Sequence, residues 1–166
     1  FIFKALELFS DLDKILVDIV GSYIEKLCIG QQLDLSKNKI KETEDEIINR
    51  IALKTYPLFG ISFLVGYVQS NNDKSKLKEV DKLAKYFSII FQIWDDIDDY
   101  SIDINRGIGN EDNINYVIYF GMKRTIEIFE ENMTKFKKGM EELSLFSDLF
   151  QKICDYLEIR IKKIKI

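Results

Sequence analysis

Apolar residues recur at three- and four-residue steps along almost the whole chain, the period of helices that bury one face. Leu6, Phe9, Leu12, Leu16, Ile19, Val20, Tyr23 and Leu27 form the first such series. A polar stretch at residues 36–41 interrupts it, and Thr43 with Glu46 has the spacing of a capping box that opens the next helix. That helix carries Ile47, Ile48, Ile51, Leu53, Leu58, Phe59, Phe63 and Leu64. Pro57 lies inside it and predicts a kink or break near Lys54, because proline lacks the backbone donor and its ring crowds the preceding turn. Residues 70–73, Ser-Asn-Asn-Asp, read as a loop. A helix is then expected over about 75–100, amphipathic first and afterwards apolar nearly all round at Phe87, Ile89, Ile90, Phe91, Ile93 and Trp94, the pattern of a central, buried helix. Residues 101–115, rich in Gly and Asn, read as a second loop, and helices follow over about 116–143 and 147–164, the last ending in a basic cluster that suits the helix dipole. No period-two alternation persists and no repeat is visible. The expectation is an all-α chain forming a single helical domain over 1–166.

Composition narrows the function classes. With 46% hydrophobic residues, one Pro and eight Gly in 166 residues, the chain is neither disordered nor a linker array, and a chain of this length buries roughly two thirds of its surface. No uncharged apolar run reaches the roughly 18 residues of a membrane span. A net charge of −4 gives no global attraction to nucleic acid or anionic lipid. Histidine is absent altogether, which removes Ser-His-Asp and Cys-His triads, His-ligated zinc and His-ligated haem. Cys28 and Cys154 are far apart and lack metal-ligand spacing, so a reduced, cytoplasmic protein is expected, with a single disulfide left open. The chain opens at Phe1 in an apolar stretch that reads as helix interior, without the basic segment and cleavage site of a secretory signal. A fragment, a processed chain or a missing beginning is the expectation.

The chemistry concentrates at Asp95-Asp96-Ile97-Asp98-Asp99, at the end of the greasiest helix. On a helix Asp95 and Asp99 are four apart and Asp96 and Asp99 three apart, so their carboxylates share a face and repel one another. A cation offsets that repulsion. Hard oxygen ligands without His or Cys select Mg²⁺, or Mn²⁺, and Mg²⁺ typically takes one or two carboxylates together with phosphate oxygens. On the cluster alone, a solvated acidic helix end is equally open. Lys54-Thr55 sits beside Pro57 in apolar surroundings, where an ammonium needs water or an anion. Gln31 and Asp34, three apart, share a helical face within Gly30-Gln31-Gln32-Leu33-Asp34-Leu35.

Taken in order, GQQLDL, KTYPLF and FQIWDDIDD resemble the GQxLDL, KTxxLF and FQIxDDxxD motifs of the trans-prenyltransferase (polyprenyl synthetase) family. The resemblance implies an isoprenoid synthase-type helical bundle around a central cavity, with this chain similar to its C-terminal half, and an enzyme that joins an allylic diphosphate to isopentenyl diphosphate with Mg²⁺. By the same resemblance Asp95 and Asp99 hold the metal with Asp96 in support, Lys54 binds diphosphate, Thr55 faces the developing allylic cation, and Gln92 points into the same cavity. Gln31 and Asp34 line the site, Tyr56 and Phe91 belong to its wall or the core, and a homodimer is implied. The downstream family pattern survives only in outline: Arg106 stands where a phosphate-binding Lys is usual, and Asp112 where an acidic partner is. The family's first DDxxD does not occur upstream of Gly30. A synthase-like subunit without catalysis and a terpene cyclase of the same fold are the alternatives.

Overall fold

The structure is a computed structural model that describes residues 14–35, 43–71, 73–105 and 115–164; the side chains of 33–35, 51, 52, 71, 103 and 164 fall outside the description. Five α-helices, α1 (Lys14–Leu35), α2 (Glu44–Asn71), α3 (Leu77–Asn105), α4 (Tyr116–Glu142) and α5 (Asp148–Ile164), account for nearly all described residues, with a 3₁₀ turn at Lys74–Lys76 and no strand among them. The all-α expectation holds. The expected helical series before Lys14 and the polar stretch at 36–41 lie outside the described residues.

Local chemistry sets the helix starts. The Thr43 capping box forms as expected: the Glu46 carboxylate accepts from Thr43 N at 2.7 Å, and Thr43 Oγ1 accepts from Glu46 N at 3.3 Å. The Thr43 N–H, together with the Thr43 hydroxyl that donates to the same carboxylate oxygen at 2.8 Å, holds the Glu46 carboxyl below its usual range. Asp73 accepts from Ser75 N at 3.0 Å and starts the 3₁₀ turn, so the expected loop at 70–73 is shorter than its sequence suggests, α2 continuing through Asn71. Asn115 caps α4 by accepting from Val117 N at 2.9 Å.

Two further features depart from the expected helix map. First, α3 runs to Asn105 rather than ending near Tyr100, which places the acidic run inside the helix. Ile97 is buried and Tyr100 packs against the core beyond that run, so the helix stays docked past its carboxylates. Second, α4 is kinked at Gly121, whose φ of 75° belongs to a backbone region that side-chain-bearing residues rarely enter. The Pro57 kink appears where expected: the arms Glu44–Arg50 and Leu53–Ser70 of α2 meet at 52°. No single helix among the described residues is long and apolar enough to cross a membrane.

Helix α3 is the centre, packed between α2 and α4. Its buried Val80, Leu83, Ala84, Phe87, Ile90, Ile93 and Ile97 follow the helical period. Four rings, one from each of four helices, meet around it: Phe63 of α2, Phe87 of α3, Phe136 of α4 and Phe150 of α5, with centroids 5.1 to 6.3 Å apart. Such offset and edge-to-face pairs each add about 0.5–1.5 kcal/mol beyond the area they bury. The expected all-round burial of α3 is incomplete, since Phe91 is 37% exposed and Trp94 half-buried. Both cysteines are free, Cys28 exposed and Cys154 buried.

Candidate active site

Segments distant in the sequence meet along one line of contacts. Gly30 of α1 presses on the α2 backbone at the Lys54-Thr55 step: a Cβ there would lie 2.3 Å from the Leu53 carbonyl oxygen and 3.0 Å from Lys54 N. Pro57 accounts for the geometry, since it has no N–H to offer the Leu53 carbonyl four residues earlier. That carbonyl faces a residue without a side chain. Gly30 is thus the contact that sets the GQQLDL segment against the KTYPLF segment. Gln31 follows it on the exposed side of α1 and Lys54 is half-buried on α2; the Asp34 side chain is outside the described residues.

Thr55 carries the line into α3. Its Oγ1 donates to Gln92 Oε1 at 2.8 Å, and Gln92 Nε2 donates to Asp96 Oδ1 at 2.9 Å. Asp96 Oδ2 accepts from Tyr116 N at 2.7 Å, and Asn115 Nδ2 donates to the Asp96 carbonyl at 2.8 Å. Three residues expected in the site, Thr55, Gln92 and Asp96, therefore form one hydrogen-bonded chain, which continues into the N-terminus of α4. The contribution of Asn115 and Tyr116 is not among the expectations from sequence. An Asn immediately before an apolar helical series is the usual N-cap signal, but nothing in the sequence joins it to a carboxylate 19 residues earlier.

The acidic residues of the run have different surroundings. Asp96 is 6% exposed and lies between helices; Asp95 is half-buried and Asp99 exposed, one turn apart. Asp98 points elsewhere and pairs with Arg160 of α5 at 3.0 Å, beside a cavity of about 160 Å³ lined by Trp94, Ile97, Ile161 and Lys163. Arg106 and Asp112 lie outside the described residues. Aromatic rings flank the line: Phe59 meets Phe87 at 5.0 Å and Phe91 at 5.5 Å.

Tyr56, expected as wall or core, does more than pack. Its hydroxyl and that of Tyr23, 2.9 Å apart, both donate to Asp81 Oδ1. Lys26 Nζ sits 4.2 Å from the Tyr23 ring centre. Burial, then the bond to Asp81, raises both phenol pKa values well above the usual tyrosine value.

No group of three or more His, Cys, Asp or Glu side chains able to enclose a metal occurs among the described residues. The donor chemistry nonetheless fits Mg²⁺. Asp95 and Asp99 offer hard carboxylate oxygens one helical turn apart, and Mg²⁺ typically takes only one or two carboxylates when phosphate oxygens and water complete its shell.

An all-helical bundle with a carboxylate-bearing central helix defines the structural class, and comparison with known proteins sharpens it. The sequence matches the Polyprenyl synthetase family over residues 1–138, and the chain belongs to that family. It is similar to a trans-prenyltransferase of African swine fever virus, 28% identical over 104 residues that make up 60% of this chain and 30% of the viral protein. It is also similar to a farnesyl diphosphate synthase of Buchnera aphidicola, 34% identical over 102 residues, 60% of this chain and 35% of that protein. The matched part of the chain spans about a third of the length of these relatives.

Proposed function

We propose that the protein is a Mg²⁺-dependent prenyl diphosphate synthase that condenses an allylic diphosphate with isopentenyl diphosphate. The observation that carries this reading is the contact line from Gly30 through Lys54-Thr55 to Gln92 and Asp96, which gathers the three family segments at one place. Family membership and the relatives' printed activities support it.

Asp95 and Asp99 would hold Mg²⁺, which when bound neutralises charge on a leaving diphosphate. Lys54 adds a positive charge on the same anion, where a half-buried ammonium interacts more strongly than one in water. Thr55 and Gln92 line the position next to that anion, with orientations fixed by their mutual bond. Phe59 and Phe91 supply apolar wall that keeps water from an electron-deficient carbon. Gln31 and Asp34 approach from α1, and Arg106 is proposed as a further diphosphate contact. The chain forms one helical domain in this reading, and the family's dimer is proposed for it.

The test is elongation. Purified protein with Mg²⁺, an allylic diphosphate and labelled isopentenyl diphosphate is expected to yield a product one isoprene unit longer, and Lys54→Ala to lower kcat/KM at least about a hundredfold, near the loss expected for one electrostatic contact to developing charge. Protein that neither binds Mg²⁺–pyrophosphate nor consumes either substrate overturns the reading.

A further inference from the structure

We infer that Asp96 is a positioning residue that sets the polarity of the Gln92–Thr55 hydrogen-bond chain, so that the Thr55 hydroxyl faces the proposed site as an acceptor. The consequence for catalysis rests on the proposed function; the polarity does not.

The argument is one of hydrogen-bond valence. An ionised carboxylate only accepts. One Asp96 oxygen takes the Tyr116 N–H and the other takes Gln92 Nε2. With its NH₂ group committed to Asp96, Gln92 must turn its carbonyl oxygen the other way, and that oxygen takes the Thr55 proton. A hydroxyl has one proton to give. Thr55 Oγ1 therefore offers only lone pairs to any third group, an arrangement that favours an electron-deficient carbon or a bound cation's water and disfavours a bare phosphate oxygen.

Asp96 is held against turning away from this task. Its backbone carbonyl takes the Asn115 side chain, and Asn115 in turn caps α4 at Val117 N. Rotation of the carboxylate would strip the Tyr116 amide, the first of α4, of its acceptor in a place that is 6% exposed. Its two oxygens are engaged from different elements, one by Gln92 of α3 and the other by Tyr116 of α4. Asp95, half-buried, and Asp99, exposed, lie closer to solvent. Within one acidic run the geometry points to a division of labour: two carboxylates toward solvent and ligand, one toward the hydrogen-bond chain.

Asp96→Asn reverses the chain. If the substituted amide accepts from Tyr116 N through its oxygen, its NH₂ faces Gln92, which must turn over to accept. Thr55 then accepts from Gln92 and aims its proton into the site. The experiment combines Asp96→Asn, Thr55→Val and the double variant in steady-state turnover, with Mg²⁺–pyrophosphate affinity by calorimetry. Asp96→Asn is expected to lower kcat about tenfold or more while pyrophosphate affinity changes less than about threefold, and to cause no further loss in the Thr55→Val background. Multiplicative losses, or loss of pyrophosphate binding as large as that of Asp95→Asn, overturn the role. Should Asp96→Asn fold poorly, Gln92→Leu breaks the same chain without touching the α4 cap; it is expected to reproduce the kcat loss while the Tyr116 amide stays protected from exchange, and unchanged kcat overturns the role. Polarity itself is read in the wild type by NMR: nuclear Overhauser contacts from the Gln92 side-chain amide protons to the Asp96 Hβ protons are expected, and contacts to the Thr55 methyl group in their place overturn it. Wild-type protein that fails to bind Mg²⁺–pyrophosphate or turn over overturns the proposed function, and the amide measurement still decides the polarity.

Discussion

Two carboxylates on α3 each tie three helices together, in opposite styles. Asp96 joins α3 to α4 with its two oxygens, taking an amide from Gln92 of its own helix and a backbone N–H from Tyr116, and reaches α2 through the Gln92–Thr55 bond. Asp81, four turns earlier, joins α1, α2 and α3 with one oxygen that accepts two phenols, Tyr23 and Tyr56. The phenols bring large rings that pack edge-on at 5.5 Å, so much of that tie is apolar contact that survives loss of the carboxylate. The groups that meet Asp96 are a side-chain amide and a backbone N–H, and the buried Tyr116 ring packs on Phe120 rather than on the carboxylate's other partner. Around Asp96 the energy resides in hydrogen-bond satisfaction, and removal leaves donors stranded. A packed tie tolerates change; a tie made of saturated valences does not.

The largest expected effect contrasts the two directly. Asp96→Ala leaves a backbone and a side-chain donor buried without acceptor and is expected to cost about 2–4 kcal/mol, against about 1–2 kcal/mol for Asp81→Ala, by urea denaturation. Equal losses would erase the distinction. Next come the glycines that seat α1 on α2. Gly30→Ala sets a methyl 2.3 Å from the Leu53 carbonyl oxygen, which only a backbone shift relieves, whereas Gly60→Ala meets the Tyr23 ring at 2.2 Å, a side chain able to move. Overpacking of this kind costs about 1–3 kcal/mol. Gly30→Ala is expected at the upper end, with weakened Mg²⁺–pyrophosphate binding, and Gly60→Ala lower, with the Tyr23–Asp81 bond disturbed.

A subtler contrast is in pH. The folded-state pKa values of Tyr23 and Tyr56 are raised above the unfolded value, so their contribution is fully present below about pH 10 and is lost as pH climbs above it and the unfolded phenols ionise. The Cys154 thiol, pushed up to about 11 by burial, and Tyr116, raised by burial beside Asp96 and Glu44, tilt stability the same way. The expected readout is therefore a difference: thermal midpoints fall between pH 9 and 11, and fall less in the Tyr23→Phe/Tyr56→Phe variant. Parallel curves would detach the phenols from the tie. The smallest effect belongs to Asp98, in the same acidic run as Asp96 but paired at the surface. Arg160→Ala is expected to change stability by no more than about 1 kcal/mol, since exposed ion pairs are screened and entropically costly.

Much of the fold is legible in the sequence because it depends on short-range periodicity. The Thr43–Glu46 box, the Pro57 bend and the burial of Phe87, Ile90 and Ile93 each follow from residues within one or two turns. The departures have nonlocal or backbone causes. The sequence places the end of α3 too early because acidic residues resemble a terminus, while Ile97 and Tyr100 keep it docked. The kink at Gly121 is a backbone state that no spacing announces. Thr55, Gln92 and Asp96 are candidates by resemblance; the Gln92–Asp96 contact is a one-turn pair within α3, while the Thr55–Gln92 contact, 37 residues apart, is visible only once α2 lies against α3.

Sequence by itself determined that this chain is helical, which helix is central, and which family it belongs to, because apolar period, capping residues and motif spacing are written in one dimension. It could not distinguish the carboxylates of one acidic run, since a helix presents Asp95, Asp96, Asp98 and Asp99 over a broad arc and says nothing of what each will meet. Tertiary packing decided that: Asp96 turned inward onto Gln92 and the start of α4, Asp98 turned to Arg160, and Asp95 and Asp99 were left nearer solvent. The physical reason is that the state of a carboxylate depends on which donors lie within about 3 Å of it, and those donors come from other helices.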